Sequence, residues 1–115
     1  MSEHYHDRAD LRFLKEMKSV APVEFEAWAI LDGIVGRPDG HVPPKYRELI
    51  AVAVACVTQC PYCIEAHATA ARRAGATREE LVEASLIAAA LRAGGGATHG
   101  AMALKFFDAA AKAGE

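Results

Sequence analysis

Two cysteines three positions apart, and a histidine one helical turn later, form the most reactive group of side chains in this sequence. They lie in the stretch QCPYCIEAH, residues 59–67, with Cys60 and Cys63 as the pair and His67 as the histidine. Cysteines at this spacing around one helical turn can close a disulfide. A histidine four residues after a cysteine shares its helix face and can accept the thiol proton directly or through one water. The pattern predicts a redox-active dithiol.

The helix that carries this group is expected to begin at Pro61, because proline is favoured at the first helical position. Cys60 is then the N-cap and Cys63 lies in the first turn. Unpaired N–H groups and the positive end of the helix dipole stabilise a thiolate there, and the thiolate is the nucleophile. Exposure at the helix end favours Cys60 as the attacking thiol, whereas the shared face with His67 favours Cys63, which we prefer.

Glu48 is the last charged residue before nine residues, LIAVAVACV, whose only polar group is a thiol. It therefore borders or enters the core. Twelve helical residues place it about 18 Å from Cys60, so a plain antiparallel hairpin leaves it out of register with His67. Crossed helices and a bridging water allow contact, but the spacing does not establish it. The alternative is an ordinary first-turn acid that complements the helix dipole.

Two functions other than redox catalysis are compatible with these residues. Cys56, Cys60, Cys63 and His67 supply the sulfur and nitrogen donors of a structural zinc site. Closed zinc sites usually draw two pairs of ligands from separate segments, which disfavours four donors within twelve consecutive residues. The second alternative is a non-catalytic helical oligomer whose dithiol senses redox state. Cys56 itself is expected to pack as a small apolar residue.

The flanking sequence predicts an all-α protein of about six helices and shows no strand pattern. Helix starts are expected near Asp10, at Pro22, at Pro43 or Pro44, at Pro61 and, through a Thr-x-x-Glu capping box, at Thr77, with a sixth helix after Gly94–Gly96. We expect the second helix to end at Gly36, the fourth at Gly75 and the fifth near Arg92. The third helix, apolar on all sides, is predicted to be buried.

A chain of 115 residues is expected to form one domain, 1–115, with residues 1–10 as a loose or docking arm. His4 and His6 in that arm are expected to be solvated. Much of the 52% hydrophobic content is alanine, which buries little area, so a thin core and self-association are predicted.

A net charge of −2, without segregation, gives no reason to expect nucleic acid or an anionic membrane as partner. The polar N-terminus lacks the apolar run of a signal peptide, and no apolar run is long enough to span a bilayer. Three clustered cysteines do not resemble a secreted disulfide framework. We therefore expect a cytoplasmic protein, and because no nucleotide or flavin motif is present, one without a bound cofactor.

The combination of Glu48, eleven intervening residues, the motif Cys60-Pro61-Tyr62-Cys63, three residues and His67 resembles the alkyl hydroperoxidase D (AhpD) family. That family is related to carboxymuconolactone decarboxylase. The resemblance covers about residues 42–107, since Gly94–Gly96 followed by His99 is similar to the last helices of the family. It implies an AhpD-like helical subunit that assembles into trimers or hexamers.

The resemblance also implies roles for these residues. Cys63 would attack a hydroperoxide or disulfide substrate, and Cys60 would resolve the product as a disulfide. His67 and Glu48 would form a proton relay. An external dithiol, on a thioredoxin-like or lipoyl protein, would then reduce the disulfide. These roles predict a peroxidase-type antioxidant oxidoreductase.

The sequence departs from the peroxidase pattern at Tyr62, where that pattern has a histidine directly before the second cysteine. Tyrosine donates a hydrogen bond but is a poor base near neutral pH, so weak peroxidase activity or another oxidised substrate is possible. By position, Tyr62 is expected to contact the reacting thiols, and His99 to line either the same cavity or a subunit seam. Decarboxylase relatives lack the cysteine pair, so decarboxylation or lactone chemistry is not expected.

Overall fold

The structure, a computed structural model, describes residues 5–112 and 114. A 3-10 turn, Arg8–Arg12, is followed by α1 (Phe13–Val20), α2 (Pro22–Gly33), α3 (Pro44–Thr58), α4 (Pro61–Arg73) and α5 (Arg78–Lys112). Within the described part of the chain there is no strand, so the all-α prediction is confirmed. None of these helices combines the length and apolar character needed to cross a membrane.

Local sequence signals set where the helices begin. Pro22, Pro44 and Pro61 each occupy the start of a helix, as predicted. At the start of α5, the backbone N–H of Thr77 donates to the Glu80 carboxylate (2.9 Å), and the Glu80 N–H donates to the Thr77 hydroxyl (3.0 Å). This reciprocal pair is the predicted capping box.

The helix α3 is the centre of the bundle, because both α4 and α5 pack against it. The two-residue turn from α3 to α4 makes these helices antiparallel. At the start of α3, Lys45 forms an ion pair with Glu80 (3.0 Å), and at its end the Val57 carbonyl accepts from Arg92 (3.0 Å). The start of α3 thus contacts the start of α5, and the end of α3 contacts a residue further along α5, so the two helices run parallel.

The core lies along one face of α3. Its buried residues are Glu48, Leu49, Val52 and Ala55, joined by Ala71 of α4 and Ala88 of α5. The prediction that α3 is buried on all sides was wrong for the single chain, since Ile50 and Val54 are about half exposed (55% and 52%). These side chains face a cavity instead of a packed neighbour.

The predicted break at Gly94–Gly96 is absent, so the expected fifth and sixth helices are one 35-residue helix. Each glycine in a helix interior costs about 1 kcal/mol relative to alanine, but unlike proline it keeps its N–H group and does not block the hydrogen-bond ladder. The neighbouring alanines favour helix enough to continue it. A Cβ at any of these glycines would meet no atom of another element within 4 Å.

Candidate functional site

A sharp reversal between α3 and α4 presents the cysteine pair. Gln59 ends α3 in the left-handed conformation (φ 57°), and Cys60 follows as the N-cap of α4. Cys60 and Cys63 form a disulfide across the first turn, with their Cα atoms 5.3 Å apart. Sγ of Cys60 also accepts a hydrogen bond from the backbone N–H of Cys63 (3.2 Å), so the sulfur caps the helix.

The two residues of the predicted proton relay are in direct contact. Nδ1 of His67 lies 2.8 Å from Oε2 of Glu48, where the ring N–H donates to the carboxylate. No bridging water is needed, because α3 and α4 cross closely enough to bring the side chains together. Glu48 is 8% exposed and is the buried charged residue of the described core. With Nδ1 donating, Nε2 of the neutral ring is left as the proton acceptor.

Cys63 and His67 line one cavity of about 420 Å³. The rest of its lining is mostly apolar and comes from the loop before α3 and from α3 itself: Val35, Val42, Arg47, Ile50, Ala51, Val54, Ala55 and Thr58. Cys63 of the disulfide and a histidine held by a carboxylate therefore both line a largely apolar cavity. This arrangement can deprotonate the reduced thiol beside a bound small molecule.

Tyr62 faces the N-terminal segment. Its hydroxyl donates to Oδ2 of Asp10 (2.7 Å), and its ring lies against the His6 ring with centroids 4.4 Å apart. The hydrogen bond to Asp10, with desolvation and the Asp10 charge, raises the pKa of Tyr62 above its ordinary value. Tyr62 thus remains a protonated donor near neutral pH.

The N-terminal contacts were only partly expected. An ion pair between Arg8 and Glu65 (3.4 Å) adds a second link between this segment and α4. The prediction of a solvated His6 was wrong, since its Nε2 is buried without a hydrogen-bond partner beside Tyr62. His4 lies outside the described residues. Sequence reasoning missed Asp10 as the partner of Tyr62, because 52 positions separate them and no local pattern links them.

The two remaining candidates stand apart from the cavity. His99 is exposed on α5, and its Nδ1 donates to the carbonyl of Gly95 in its own helix (2.8 Å). It does not line the cavity of Cys63 and His67. Cys56 is a half-buried free thiol on α3 and is also outside that lining. The described residues contain no group of three or more potential metal ligands.

Comparison with known proteins shows the family to which the chain belongs. The sequence profile of the carboxymuconolactone decarboxylase family matches residues 22–106, and the chain belongs to this family. It is 51% identical over 70 residues to "Uncharacterized protein 4 in cox locus" of Paracoccus denitrificans (61% of this chain, 63% of the relative). It is 42% identical over 71 residues to an uncharacterized protein of Cupriavidus necator (62% and 63%). These matches span less than two thirds of the length of either relative.

Proposed function

We propose that the chain is a thiol-dependent oxidoreductase that reduces hydroperoxides, or other oxidised small molecules, through Cys63 and Cys60. The hydrogen bond between His67 and Glu48, beside a cavity that Cys63 shares, is the observation that carries this proposal. Placing the carboxylate on Nδ1 leaves Nε2 as a base on the side of the ring away from Glu48. The cysteine pair, able to close a disulfide, supports the resolving step.

The reaction begins from the dithiol. His67 accepts the Cys63 proton, and the thiolate attacks the terminal oxygen of the hydroperoxide. The O–O bond breaks, Cys63 becomes a sulfenic acid, and the leaving alkoxide takes the proton and departs as an alcohol. The Cys60 thiol then displaces water from the sulfenic acid to form the disulfide. Two electrons and two protons from an external dithiol, on a thioredoxin-like or lipoyl protein, restore the reduced pair.

We also propose that the chain works as a homo-oligomer in the cytoplasm, where an external dithiol is maintained. Two apolar surfaces favour self-association. The α1–α2 hairpin carries a cavity of about 670 Å³ lined by Phe13, Met17, Val20, Phe25 and Trp28, among others. Residues 93–112 of α5, called the α5 tail, lie beyond the Arg92 contact with the end of α3, and of these only Gly95 and Ala110 are partly covered.

Peroxide reduction coupled to oxidation of a dithiol donor tests the proposed function. Cys63→Ser should reduce turnover to background, and Cys60→Ser treated with peroxide in the absence of the dithiol donor should consume one equivalent and retain a trappable sulfenic acid. His67→Ala should lower kcat/KM by about 100-fold, the usual scale of a general base. Cys56→Ser is the matched control and should leave turnover unchanged. Undiminished turnover by Cys63→Ser would show that the proposed function is wrong.

A further inference from the structure

Arg47 joins the start of α3 to both ends of the preceding loop, residues 34–42. Its Nε donates to the carbonyl of Val42 (2.8 Å). Its Nη1 donates to the carbonyls of Ile34 (2.9 Å) and Val35 (3.1 Å). A planar guanidinium can serve acceptors in several directions at once, which a lysine ammonium on a flexible stem cannot do with the same geometry. One side chain thus holds the entry and the exit of the 34–42 loop.

The anchored loop forms part of the candidate site. Val35 and Val42, whose carbonyls accept from Arg47, both line the cavity that contains Cys63. Gly36, the next residue in the loop, is close enough to Glu48 that a Cβ there would lie 3.6 Å from Oε1. The loop therefore covers the buried carboxylate of the relay and supplies an apolar wall of the cavity.

The sequence of the loop accommodates the guanidinium. A Cβ on Gly40 would overlap Nη2 of Arg47 and lie 2.8 Å from its Cζ. A side chain at position 40 therefore requires the guanidinium to shift, and because Nη2 is rigidly joined to Nε and Nη1, this shift disturbs their hydrogen bonds. Gly40 and Arg47 form one unit, and each can be changed without altering a residue of the dithiol or its relay.

We propose that Arg47 is a positioning residue that fixes the 34–42 loop as the wall of the thiol cavity and so controls the size of the molecule that reaches Cys63. Its importance for catalysis rests on the proposed function, whereas the anchoring itself does not. Arg47 is itself one of the residues that line the cavity, so it affects access to the thiol both through its own side chain and through the loop that it anchors. The selectivity for size, rather than the chemical reactivity of Cys63, is the property it governs.

The test measures how two reagents of the same chemistry and different size reach Cys63. In a Cys56→Ser, Cys60→Ser background, reduced Cys63 is labelled with N-methylmaleimide or with N-(1-pyrenyl)maleimide. Arg47→Met should raise the relative rate of the bulky reagent by about tenfold, because the wall is released. Amide hydrogen exchange within residues 34–42 should accelerate by a similar factor.

Three further variants separate anchoring from a general loss of structure. Gly40→Ala should reproduce both effects of Arg47→Met while keeping the arginine. Arg47→Lys should give an intermediate shift, because one ammonium replaces only part of the hydrogen bonding. Arg37→Met is the control for loss of a cation in the same loop, since Arg37 forms a long ion pair with Asp39 (3.9 Å) and its Nε, like the Arg47 guanidinium, lies near Gly40. It should behave like the parent.

Two results would overturn the proposal. The first is that Arg47→Met and Gly40→Ala keep the size selectivity of labelling and the amide hydrogen-exchange rates of the parent. The second is that Arg37→Met changes both quantities as much as Arg47→Met does. Circular dichroism of each variant confirms that the helices are intact. Because maleimide labelling requires no turnover, a protein without peroxidase activity would still decide the role of Arg47 separately from the proposed function.

Discussion

At the scale of single residues, Tyr62 shows how a side chain beside the cysteine pair makes structural contacts with a distant segment. It lies between Cys60 and Cys63 in sequence, yet its hydroxyl donates to Asp10 and its ring packs on His6. A hydroxyl held by a carboxylate is a weaker acid than a free phenol. Tyr62 is therefore suited to fasten the N-terminal segment over the first turn of α4 rather than to carry protons.

Replacing Asp10 should lower the pKa of Tyr62 toward its ordinary value of 10.0, because the hydrogen bond and charge of Asp10 raise it. Since the folded-state pKa is raised, this contact stabilises the fold below about pH 10 and is lost as the pH rises through the raised pKa. NMR titration of ring-labelled tyrosine in Asp10→Asn measures the shift, with Asp39→Asn as the control. An unchanged Tyr62 titration would contradict the assignment.

How far the site follows from sequence depends on separation along the chain. Cys60, Cys63 and His67 come together because they lie within two turns of one helix, so spacing alone predicts their proximity. Glu48 is 19 positions from His67, and its contact depends on how α3 crosses α4, which the pattern leaves open. The link from Tyr62 to Asp10 has no local signal at all. Tertiary packing, not propensity, decides these last two contacts.

At the scale of elements, the starts of α2, α3, α4 and α5 were predicted, whereas α2 ends at Gly33 instead of Gly36 and no helix ends or begins at Gly94–Gly96. Proline and the Thr77 capping box are local devices that act on the backbone beside them, so their sequence positions determine the starts. Gly94–Gly96 only raises the free energy of a helix by an amount that flanking residues can offset. Proline and a capping box therefore predict helix starts well, whereas a run of glycines does not predict a helix end inside a long alanine-rich helix.

Glu80 connects helix capping to the packing of α5 on α3. The backbone hydrogen bond from Thr77, then the side-chain bond to Lys45, lowers the pKa of Glu80 below its ordinary value of 4.5. The same contact raises the pKa of Lys45 above 10.5. A lowered carboxyl pKa contributes stability above its unfolded value and loses it as the pH falls through the folded value.

Glu80→Gln should therefore lower the Tm at neutral pH, and this difference should shrink at an acidic pH below the lowered folded-state pKa of Glu80, where the carboxyl is protonated in both states. Thermal unfolding at the two pH values measures this. Glu79→Gln, at the neighbouring acid of the same first turn, is the control for loss of charge near the helix dipole. An equal loss of Tm at both pH values would assign the effect to packing instead of ionisation.

At the scale of the whole molecule, the single chain exposes more surface than a compact protein of its mass. Its accessible area is 9062 Å², against about 6,100 Å² expected for 12.3 kDa. Its radius of gyration is 19.4 Å, against about 13 Å for a compact chain of this length. The excess of about 3,000 Å² is for one chain, and two such chains would together match the large end of obligate interfaces, which bury about 2,000–5,000 Å² or more summed over both partners. The small number of buried residues and the half-exposed side chains of α3 belong to this excess of exposed surface.

The proposed self-association predicts that a charge on the α5 tail separates the subunits. Phe106 is 60% exposed in the single chain, and burying a phenylalanine contributes about 1.5–3 kcal/mol. Phe106→Glu should weaken assembly by at least about 100-fold, since a charged side chain must also lose its hydration. Light scattering after size-exclusion chromatography measures the molar mass, and Thr69→Glu, a new charge at an exposed position of α4, should leave it unchanged.

The separated subunit should also unfold at lower temperature, because it loses the partner that completes its core. A parent protein that is monomeric at micromolar concentration, or a Phe106→Glu variant of unchanged mass, would count against assembly through this surface.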